Sequence, residues 1–228
     1  MPTTTRQWLL NGHPRGRGIE IENDFKLATA ELPDPAPGEM LLKTHFLGFD
    51  PAQKGWMENI ADYVAPMNIG DVMRGSGIAE VVASNGGRFA VGDMVFGTTG
   101  WTEYLVSDGK ELTKVETDLS PTSVLSVLGT TGLTAYCGLF KVGKPVAGDT
   151  VLVSGAAGAT GSIVGQLAKI AGCRVIGIAE HIGGGLVDRH LPRAGRRIWG
   201  GAGVDGEGVE AKGAVGCHGF TSVNSRSE

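Results

Sequence analysis

One stretch of the sequence, residues 149–179, constrains the fold more than any other. It reads DTVLVSGAAGATGSIVGQLAKIAGCRVIGIA, in which an apolar run at 151–153 meets a loop containing Gly155, Gly158 and Gly161. Apolar residues at 163, 164, 167, 170 and 171 then recur at helical spacing, and a second apolar run occupies 175–178. This order predicts a strand, a phosphate loop, a helix and a strand, the opening unit of a dinucleotide-binding fold.

The position of these glycines between a predicted strand and a predicted helix is stronger evidence for anion binding than their number. Their spacing is G-x-x-G-x-x-G, and a triplet alone is weak evidence in a chain with 38 glycines. Gly158 and Gly161 would let the backbone approach a phosphate without an intervening Cβ, and Gly165 would let the helix pack close to the sheet. The alternative is an ordinary strand-to-helix turn whose glycines serve tightness only. The complete strand–loop–helix–strand context favours nucleotide binding.

The net charge and the cysteine content limit which binding partners and which cellular compartment are expected for the protein. A formal net charge of −4 provides no electrostatic footprint for nucleic acid or for an anionic membrane. Three widely spaced cysteines form neither a disulfide framework nor a metal cluster, which favours a reducing, cytoplasmic compartment. No apolar run reaches the length of a membrane span, and the amino-terminal apolar run is too short for a signal sequence.

The first 125 residues are predicted to be rich in β-strand. Short apolar runs at 40–42, 46–49, 78–83, 94–96 and 101–106 are separated by turn residues, which suggests a small barrel or sandwich. The last two runs are separated by a four-residue loop, 97–100, and are predicted to form a hairpin.

A helical pattern begins near residue 120. Ser120 and Pro121 are typical of a helix start, and breakers at 144–145 and 148–149 are expected to end the helix before the strand at 151. The apolar residues of this predicted helix lie at helical spacing: Leu133, Tyr136, Leu139 and Phe140.

The pattern is lost after Glu180, where 12 of 48 residues are glycine and no apolar period persists. The arginines at 189, 193, 196 and 197 could form an anion site, but nearby acidic residues nearly balance them, which favours a solvated tail. The predicted organisation is therefore a β-rich part over 1–125, the start of an α/β part over 126–180, and a glycine-rich tail over 181–228.

Taken together and in order, six segments resemble a known family. They are RQWLL (6–10), GFDPAQKGWM (48–57), IGDVMRGSGIAEVVAS (69–84), GDMVFGTTGWTEYLV (92–106), VLGTTGLTAYCGL (127–139) and VLVSGAAGATGSIVGQLAKIAGC (151–173). They resemble the zinc-independent branch of the medium-chain dehydrogenases/reductases that contains NADPH-dependent alkenal and enone double-bond reductases, such as leukotriene B4 12-hydroxydehydrogenase/prostaglandin reductase. The resemblance covers about residues 5–179. It implies an α/β protein with a GroES-like β-barrel followed by a Rossmann domain. The Rossmann domain is incomplete here, because the tail has no counterpart in the family. The tail is expected to be disordered or to derive from an aberrant reading frame.

The same resemblance implies that no metal is used. Zinc alcohol dehydrogenases of this fold require cysteine, a His-Glu pair and further cysteines. The corresponding segments here read FDP at 49–51 and RGSG at 74–77, and no cysteine precedes Cys137. His13 and His45 stand alone in the sequence, so surface or hydrogen-bonded core roles are expected for them.

The resemblance implies hydride transfer from NADPH to the β-carbon of an α,β-unsaturated aldehyde or ketone, followed by protonation at the α-carbon. No catalytic residue can be assigned. Asp50, Lys54, Trp56 and Met57 match the loop at the substrate cleft, and Ala52 stands where relatives often carry tyrosine. The segment beside the nicotinamide includes Thr130, Thr131 and Thr134, for which capping and turn roles are an equal alternative. The pyrophosphate loop matches Gly155, Ala157, Gly158, Ala159, Thr160, Gly161 and Ser162.

Two departures from the family pattern leave alternatives open. Glu180 and His181 follow the second predicted strand where relatives have a Gly-rich turn and a lysine for the 2′-phosphate of NADPH, so NADH is possible. The later strands of a Rossmann domain are absent, although a homodimer would be possible with a full domain. A truncated, non-catalytic chain that acts as a nucleotide-binding or interaction module is therefore the alternative to an enzyme.

Overall fold

The structure is a computed structural model that describes residues 3–178 and, as backbone, the strands Glu210–Val215 and Phe220–Asn224. The chain divides into two units, Met1–Leu125 and Ser126–Glu228. Apart from the two late strands, the predicted tail at 181–228 lies outside the described residues, as do Glu180, His181 and the arginine cluster. No helix among the described residues is both long enough and apolar enough to cross a membrane.

The first unit is built from antiparallel strands. It begins with a two-stranded ribbon of β1 (Thr3–Leu10) and β2 (Phe25–Leu32). Five further strands, β3 (Met40–Leu47), β4 (Ser76–Ser84), β5 (Met94–Thr98), β6 (Tyr104–Ser107) and β7 (Leu112–Lys114), form one sheet in the order β6-β3-β4-β5-β7. The predicted β-rich character of this part is confirmed.

The predicted hairpin across 97–100 is wrong. Strand β5 pairs with β4 and β7, whereas β6 pairs with β3. The residues between β5 and β6 contact β1 instead: the backbone N–H of Trp8 donates to the carbonyl of Trp101 at 2.9 Å, and Gln7 bridges to Thr102. This pairing with a distant strand draws the connection away from a tight turn.

Residues 11–24, here called the strap, join β1 to β2 and end in a short helix, α1 (Ile21–Asp24). The side chain of Asp24 is fully buried, and its two oxygens accept hydrogen bonds from the Arg17 guanidinium at 2.9 and 2.5 Å. The backbone N–H of Glu20 donates to the same carboxylate at 2.8 Å. One ion pair, with a buried carboxylate and a partly exposed guanidinium, therefore fixes the path of the strap.

A second helix, α2 (Ala52–Met57), lies in the segment that resembles the substrate loop. Its carboxyl-terminal Met57 is fully buried in a cluster with Leu10, Phe25, Met67 and Met73. From the sequence this segment was expected to be a loop, and the strands β1 and β2 were not predicted.

The second unit contains the predicted strand–loop–helix–strand, which is confirmed. Strand β8 (Thr150–Ser154) runs parallel to β9 (Arg174–Ile178), and helix α4 (Ala159–Ile170) connects them. Ahead of them lie a 3-10 turn, Pro121–Leu125, in the first unit, and then helix α3 (Thr130–Tyr136), which continues as a π-helix to Gly143. The single helix expected from Ser120 onward is thus interrupted.

Two late strands extend this second sheet beyond the sequence expectation. Strand β10 (Glu210–Val215) pairs with β11 (Phe220–Asn224), and β11 pairs antiparallel with β8. The sheet order is β10-β11-β8-β9. No further strand was predicted after Glu180, because the frequent glycines there interrupt any alternating apolar pattern.

The core of the second unit forms where α3 and α4 pack on β8. Its buried residues are Ala135, Leu139, Val151, Val153, Val164, Ala168 and Cys173. Three residues expected on apolar helix faces lie outside this core: Leu133 and Ile170 are 64% and 83% exposed, and Tyr136 is half-exposed against Phe140. Burial raises the pKa of the Cys173 thiol, which agrees with its expected role as a small core residue.

The glycines of α4 have different structural roles. A Cβ on Gly161 would lie 2.3 Å from the carbonyl oxygen of Gly155 and 2.9 Å from the Cα of Ala156. A Cβ on Gly165 would lie 3.7 Å from Val175, which is ordinary van der Waals contact. The expectation that Gly165 allows close helix–sheet packing is therefore wrong, because an alanine would fit there, whereas Gly161 is required.

We expect Gly161→Ala and Gly165→Ala to change stability in opposite directions. The first forces the backbone of the 155–156 loop away and should destabilise the second unit by more than about 1 kcal/mol. The second should stabilise it by roughly 0.5–1 kcal/mol, because alanine is the better residue in a helix interior. Hydrogen exchange of the α4 amides measures both effects, and equal destabilisation by the two substitutions would contradict this packing.

The ion pair of the strap predicts an acid-sensitive stability. Hydrogen bonding from Arg17 lowers the pKa of Asp24, so the ionised carboxylate stabilises the folded state. This contribution is fully present above the unfolded pKa of about 4 and is lost as the pH falls through the lower folded value. Asp24→Asn should therefore have a lower melting temperature than the wild type at pH 7. The difference in melting temperature should decrease toward pH 2. Asp34→Asn, which removes an exposed carboxylate, is the control; a gap independent of pH would refute the assignment.

Candidate functional site

The glycine loop, residues 155–161, lies between the carboxyl end of β8 and the first turn of α4. Gly155 adopts a positive φ of 62°, and its carbonyl accepts a hydrogen bond from the Gly158 N–H at 2.9 Å. The N–H of Ala156 donates to the carbonyl of Ile178 at the end of β9. The loop is thereby held at both strand ends, and Gly158 serves as the N-cap of α4.

The first turn of α4 presents unsatisfied donors. Within residues 3–178, the backbone N–H groups of Ala157, Ala159, Thr160 and Gly161 have no acceptor, whereas the Ser162 N–H is satisfied by the Gly158 carbonyl. Ala157, Gly158 and Ala159 are exposed to solvent. Free N–H groups at the positive end of a helix dipole are the donors that a pyrophosphate requires.

Side chains contribute less to this site than the backbone does. The Ser162 hydroxyl donates to the carbonyl of Ala159 at 3.0 Å, so its proton is already used. The donor set thus consists of backbone groups and the Thr160 hydroxyl, which has no partner within residues 3–178. It fits the diphosphate of a dinucleotide and leaves room for the ligand to approach the backbone.

The threonines predicted beside the nicotinamide lie at the start of α3. The Thr134 hydroxyl donates to the Thr130 carbonyl one turn earlier at 2.7 Å, which is a helix-internal role. Gly129, not a threonine, is the N-cap of α3. Thr131 is half-buried, and its hydroxyl has no hydrogen bond within the described residues. Of the three, Thr130 and Thr131 are therefore the ones whose hydroxyls remain available within the described residues.

The four residues predicted at the substrate cleft all lie on or beside α2. The Asp50 carboxylate accepts from the N–H of Ala52 at 2.8 Å and so begins the helix. The Lys54 ammonium donates to Glu58 at 2.6 Å, and this hydrogen bond lowers the pKa of Glu58. The indole N–H of Trp56 donates to the Tyr63 hydroxyl at 3.1 Å. These side chains are therefore largely engaged within the first unit.

Three of these four residues border one cavity in the first unit. Asp50, which precedes α2, and Lys54 and Met57 within α2 line the cavity, whereas Trp56 does not. The cavity has a volume of about 720 Å³. Its other walls include residues that the sequence analysis did not select: Trp8, Ile19, Ile21, Phe25 and Phe49. Their only sequence signal was an apolar character in segments without a clear period.

The two histidines considered as lone residues both have hydrogen-bond partners. The Nδ1 atom of His13 lies 2.5 Å from the Met57 carbonyl, and the Nε2 atom of His45 lies 2.9 Å from a Glu80 carboxylate oxygen. Within the part of the chain that the structure describes, no three His, Cys, Asp or Glu side chains form a group suited to a metal ion.

Comparison with known proteins matches both units. Residues 6–115 match the family described as the N-terminal domain of oxidoreductase. The chain is 46% identical to the putative NADP-dependent oxidoreductase YfmJ of Bacillus subtilis over 166 residues, which is 72% of this chain and 49% of the relative. It is 39% identical to the NADPH-dependent curcumin reductase of Escherichia coli over 186 residues, 81% of this chain and 52% of the relative.

The fold of the chain is also similar to that of a solved structure. CurA from Vibrio vulnificus in complex with NADPH superposes with a TM-score of 0.70 at 43% identity, over 77% of this chain and 52% of that protein. The chain thus spans about half the length of the curated relatives it matches. The fold, the glycine loop and these similarities together show that the chain belongs to the medium-chain dehydrogenase/reductase family.

Proposed function

We propose that this chain binds NADPH and belongs to a reductase that acts on the C=C bond of α,β-unsaturated aldehydes and ketones without zinc. The observation that carries the proposal is the set of free N–H groups at the start of α4, at the carboxyl end of a parallel strand. Relatives named as NADPH-dependent reductases support the same cofactor and substrate class. Bound NADPH would supply the hydride.

The residues of this chain would bind and orient. The N–H groups of Ala159, Thr160 and Gly161 would hold the diphosphate, and the Thr131 hydroxyl is available for a further hydrogen bond. The segments that correspond to zinc ligands in alcohol dehydrogenases read FDP at 49–51 and RGSG at 74–77; they contain neither the cysteine nor the His-Glu pair, and this supports a metal-independent reaction. Free Cys137 and Cys173 support a reducing, cytoplasmic location.

The length of the chain favours one second candidate. Because it spans about half of its relatives, it could bind the nucleotide without turning over substrate. The enzyme and the binding module are distinguished by incubating the chain with NADPH and a panel of enals and enones. The oxidation of NADPH is measured as a loss of its absorbance. Turnover with formation of the saturated carbonyl product establishes the reductase, whereas saturable NADPH binding without turnover establishes the binding module. The choice between NADPH and NADH follows from parallel calorimetric titrations.

Ala159→Asp tests the nucleotide site without weakening the fold. A carboxylate at the first position of α4 should stabilise the helix by about 0.3–1 kcal/mol through the helix dipole. The same charge faces the bound diphosphate and should weaken NADPH binding by roughly tenfold or more. Calorimetric titration measures the affinity, and thermal melting measures the stability. Ala159→Asn is the uncharged control, and an unchanged affinity in Ala159→Asp would place the nucleotide elsewhere.

A further inference from the structure

Two Asn-Gly dipeptides occur in the sequence, Asn11-Gly12 and Asn85-Gly86. We propose that Asn85 is a site of spontaneous deamidation in the folded protein, and that contacts with the strap protect Asn11 from the same reaction. This inference goes beyond the proposed function, since it concerns the first unit alone and requires neither nucleotide nor turnover. Both asparagines are exposed to solvent, so exposure does not distinguish them, and the contacts of the two glycines must.

The reaction is intramolecular in its first step and needs only water in its second. The backbone nitrogen of the glycine attacks Cγ of the preceding asparagine. The N–Cγ bond forms, the Cγ–Nδ2 bond breaks, and ammonia leaves with the proton that the glycine nitrogen has lost. Water then opens the resulting succinimide at one of its two carbonyls, which yields aspartate or isoaspartate. Glycine favours the attack because it has no Cβ beside the attacking nitrogen and adopts many backbone conformations.

The attacking nitrogen of Gly86 is free to react. Gly86 follows the end of β4, and its N–H has no acceptor within residues 3–178. A Cβ built on Gly86 would have no neighbour within 4 Å, so the space that a succinimide ring needs is open. The Asn85 amide donates one hydrogen bond, to the Pro35 carbonyl at 2.9 Å, at the exposed surface. Because a single exposed hydrogen bond contributes only modestly to stability, the side chain can turn toward the glycine.

The corresponding nitrogen of Gly12 is hydrogen-bonded and crowded. Its N–H donates to the Asp24 carbonyl at 3.3 Å, and the same carbonyl accepts from the Asn11 N–H at 2.7 Å. The Asn11 amide donates to the Asn23 carbonyl at 3.0 Å. A Cβ on Gly12 would lie 2.8 Å from Oδ1 of Asp24, so the fully buried Asp24 side chain fills the space beside this glycine. Attack by the Gly12 nitrogen would therefore require the strap to move.

Deamidation would weaken the contact between the end of β4 and the turn before β3. The Asn85 N–H donates to the Glu39 carbonyl at 2.9 Å, and the Asn85 carbonyl accepts from the Gly38 N–H at 2.7 Å. Isoaspartate inserts an additional methylene between this N–H and this carbonyl, so the two hydrogen bonds cannot both keep their geometry. Either product also replaces the amide donor with a carboxylate that faces the Pro35 carbonyl oxygen. The modified chain should therefore have a lower melting temperature.

The test is peptide mapping by mass spectrometry after incubation of the full chain in mildly alkaline buffer without nucleotide. Deamidation changes the mass of the peptide, and methylation by an isoaspartate-specific methyltransferase identifies the isoaspartate. In the folded chain we expect Asn85 to be converted roughly tenfold or more faster than Asn11. In guanidinium chloride, where the strap is unfolded, the two rates should become similar. Because no nucleotide is present, failure here leaves the proposed function unaffected.

Two substitutions separate the two sites. Asn85→Gln keeps an amide donor without charge, but its longer side chain cyclises much more slowly, so it should remove conversion at this position and leave the rate at Asn11 unchanged. Asp24→Asn breaks the ion pair of the strap and should accelerate conversion of Asn11 alone. Circular dichroism verifies that both variants are folded. No conversion of Asn85, equal rates at the two sites in the folded chain, or a difference that persists after unfolding would each overturn the proposal.

Discussion

The close approach of Gly161 to the Gly155 carbonyl is the contact on which the proposed nucleotide site depends. A side chain at 161 would overlap the loop backbone, so only glycine lets α4 begin directly against the end of β8. The helix start determines which N–H groups have no partner, and within residues 3–178 these include the groups of residues 159–161. The position of the donors is therefore set by backbone packing, and the chemistry of the side chains is secondary.

In the first unit, polar contacts and not close backbone packing position the residues around the cavity. Its strap is fixed by a buried carboxylate that is satisfied by one guanidinium and one backbone N–H, so charge pairing supports a segment with little regular structure. The strap in turn contacts α2 through Gly16 and His13. Polar contacts hold the walls apart while apolar residues line the space between them, which is why this unit contains a cavity where a filled core would otherwise be expected.

The sequence predicted the parts of the fold in which local pattern and tertiary structure agree. The strand–loop–helix–strand at 149–179 was predictable because the apolar period, the glycines and the buried strand residues Val151 and Val153 all point to one arrangement. The class of the first part was predictable from its short apolar runs. The hairpin at 97–100 was not, because the residues that follow it, Trp101 and Thr102, pair with β1, about ninety positions earlier in the chain.

For similar reasons, the glycine loop could be predicted from the sequence, whereas the cavity of the first unit could not. The loop residues were found because a glycine pattern has a local signal, whereas the role of Gly165 was misassigned because a glycine required by packing and one that merely fits look alike in sequence. The cavity was missed because Trp8, Ile21 and Phe25 come from β1, a short helix and the start of β2. The pairing of β1 with β2 brings Trp8 close to Phe25, and the Asp24–Arg17 pair fixes the strap that carries Ile21. Long-range pairs of this kind leave no periodic trace.

The most direct test of the account is a nuclear magnetic resonance titration of the isotopically labelled chain with NADPH. The account predicts saturable shifts in the amide signals of Ala157, Ala159, Thr160 and Gly161, with the largest downfield changes at the first turn of α4 as these N–H groups gain acceptors. Shifts that avoid this turn, or an absence of any change at millimolar NADPH, would contradict the central claim that the unpaired donors of α4 form the dinucleotide site.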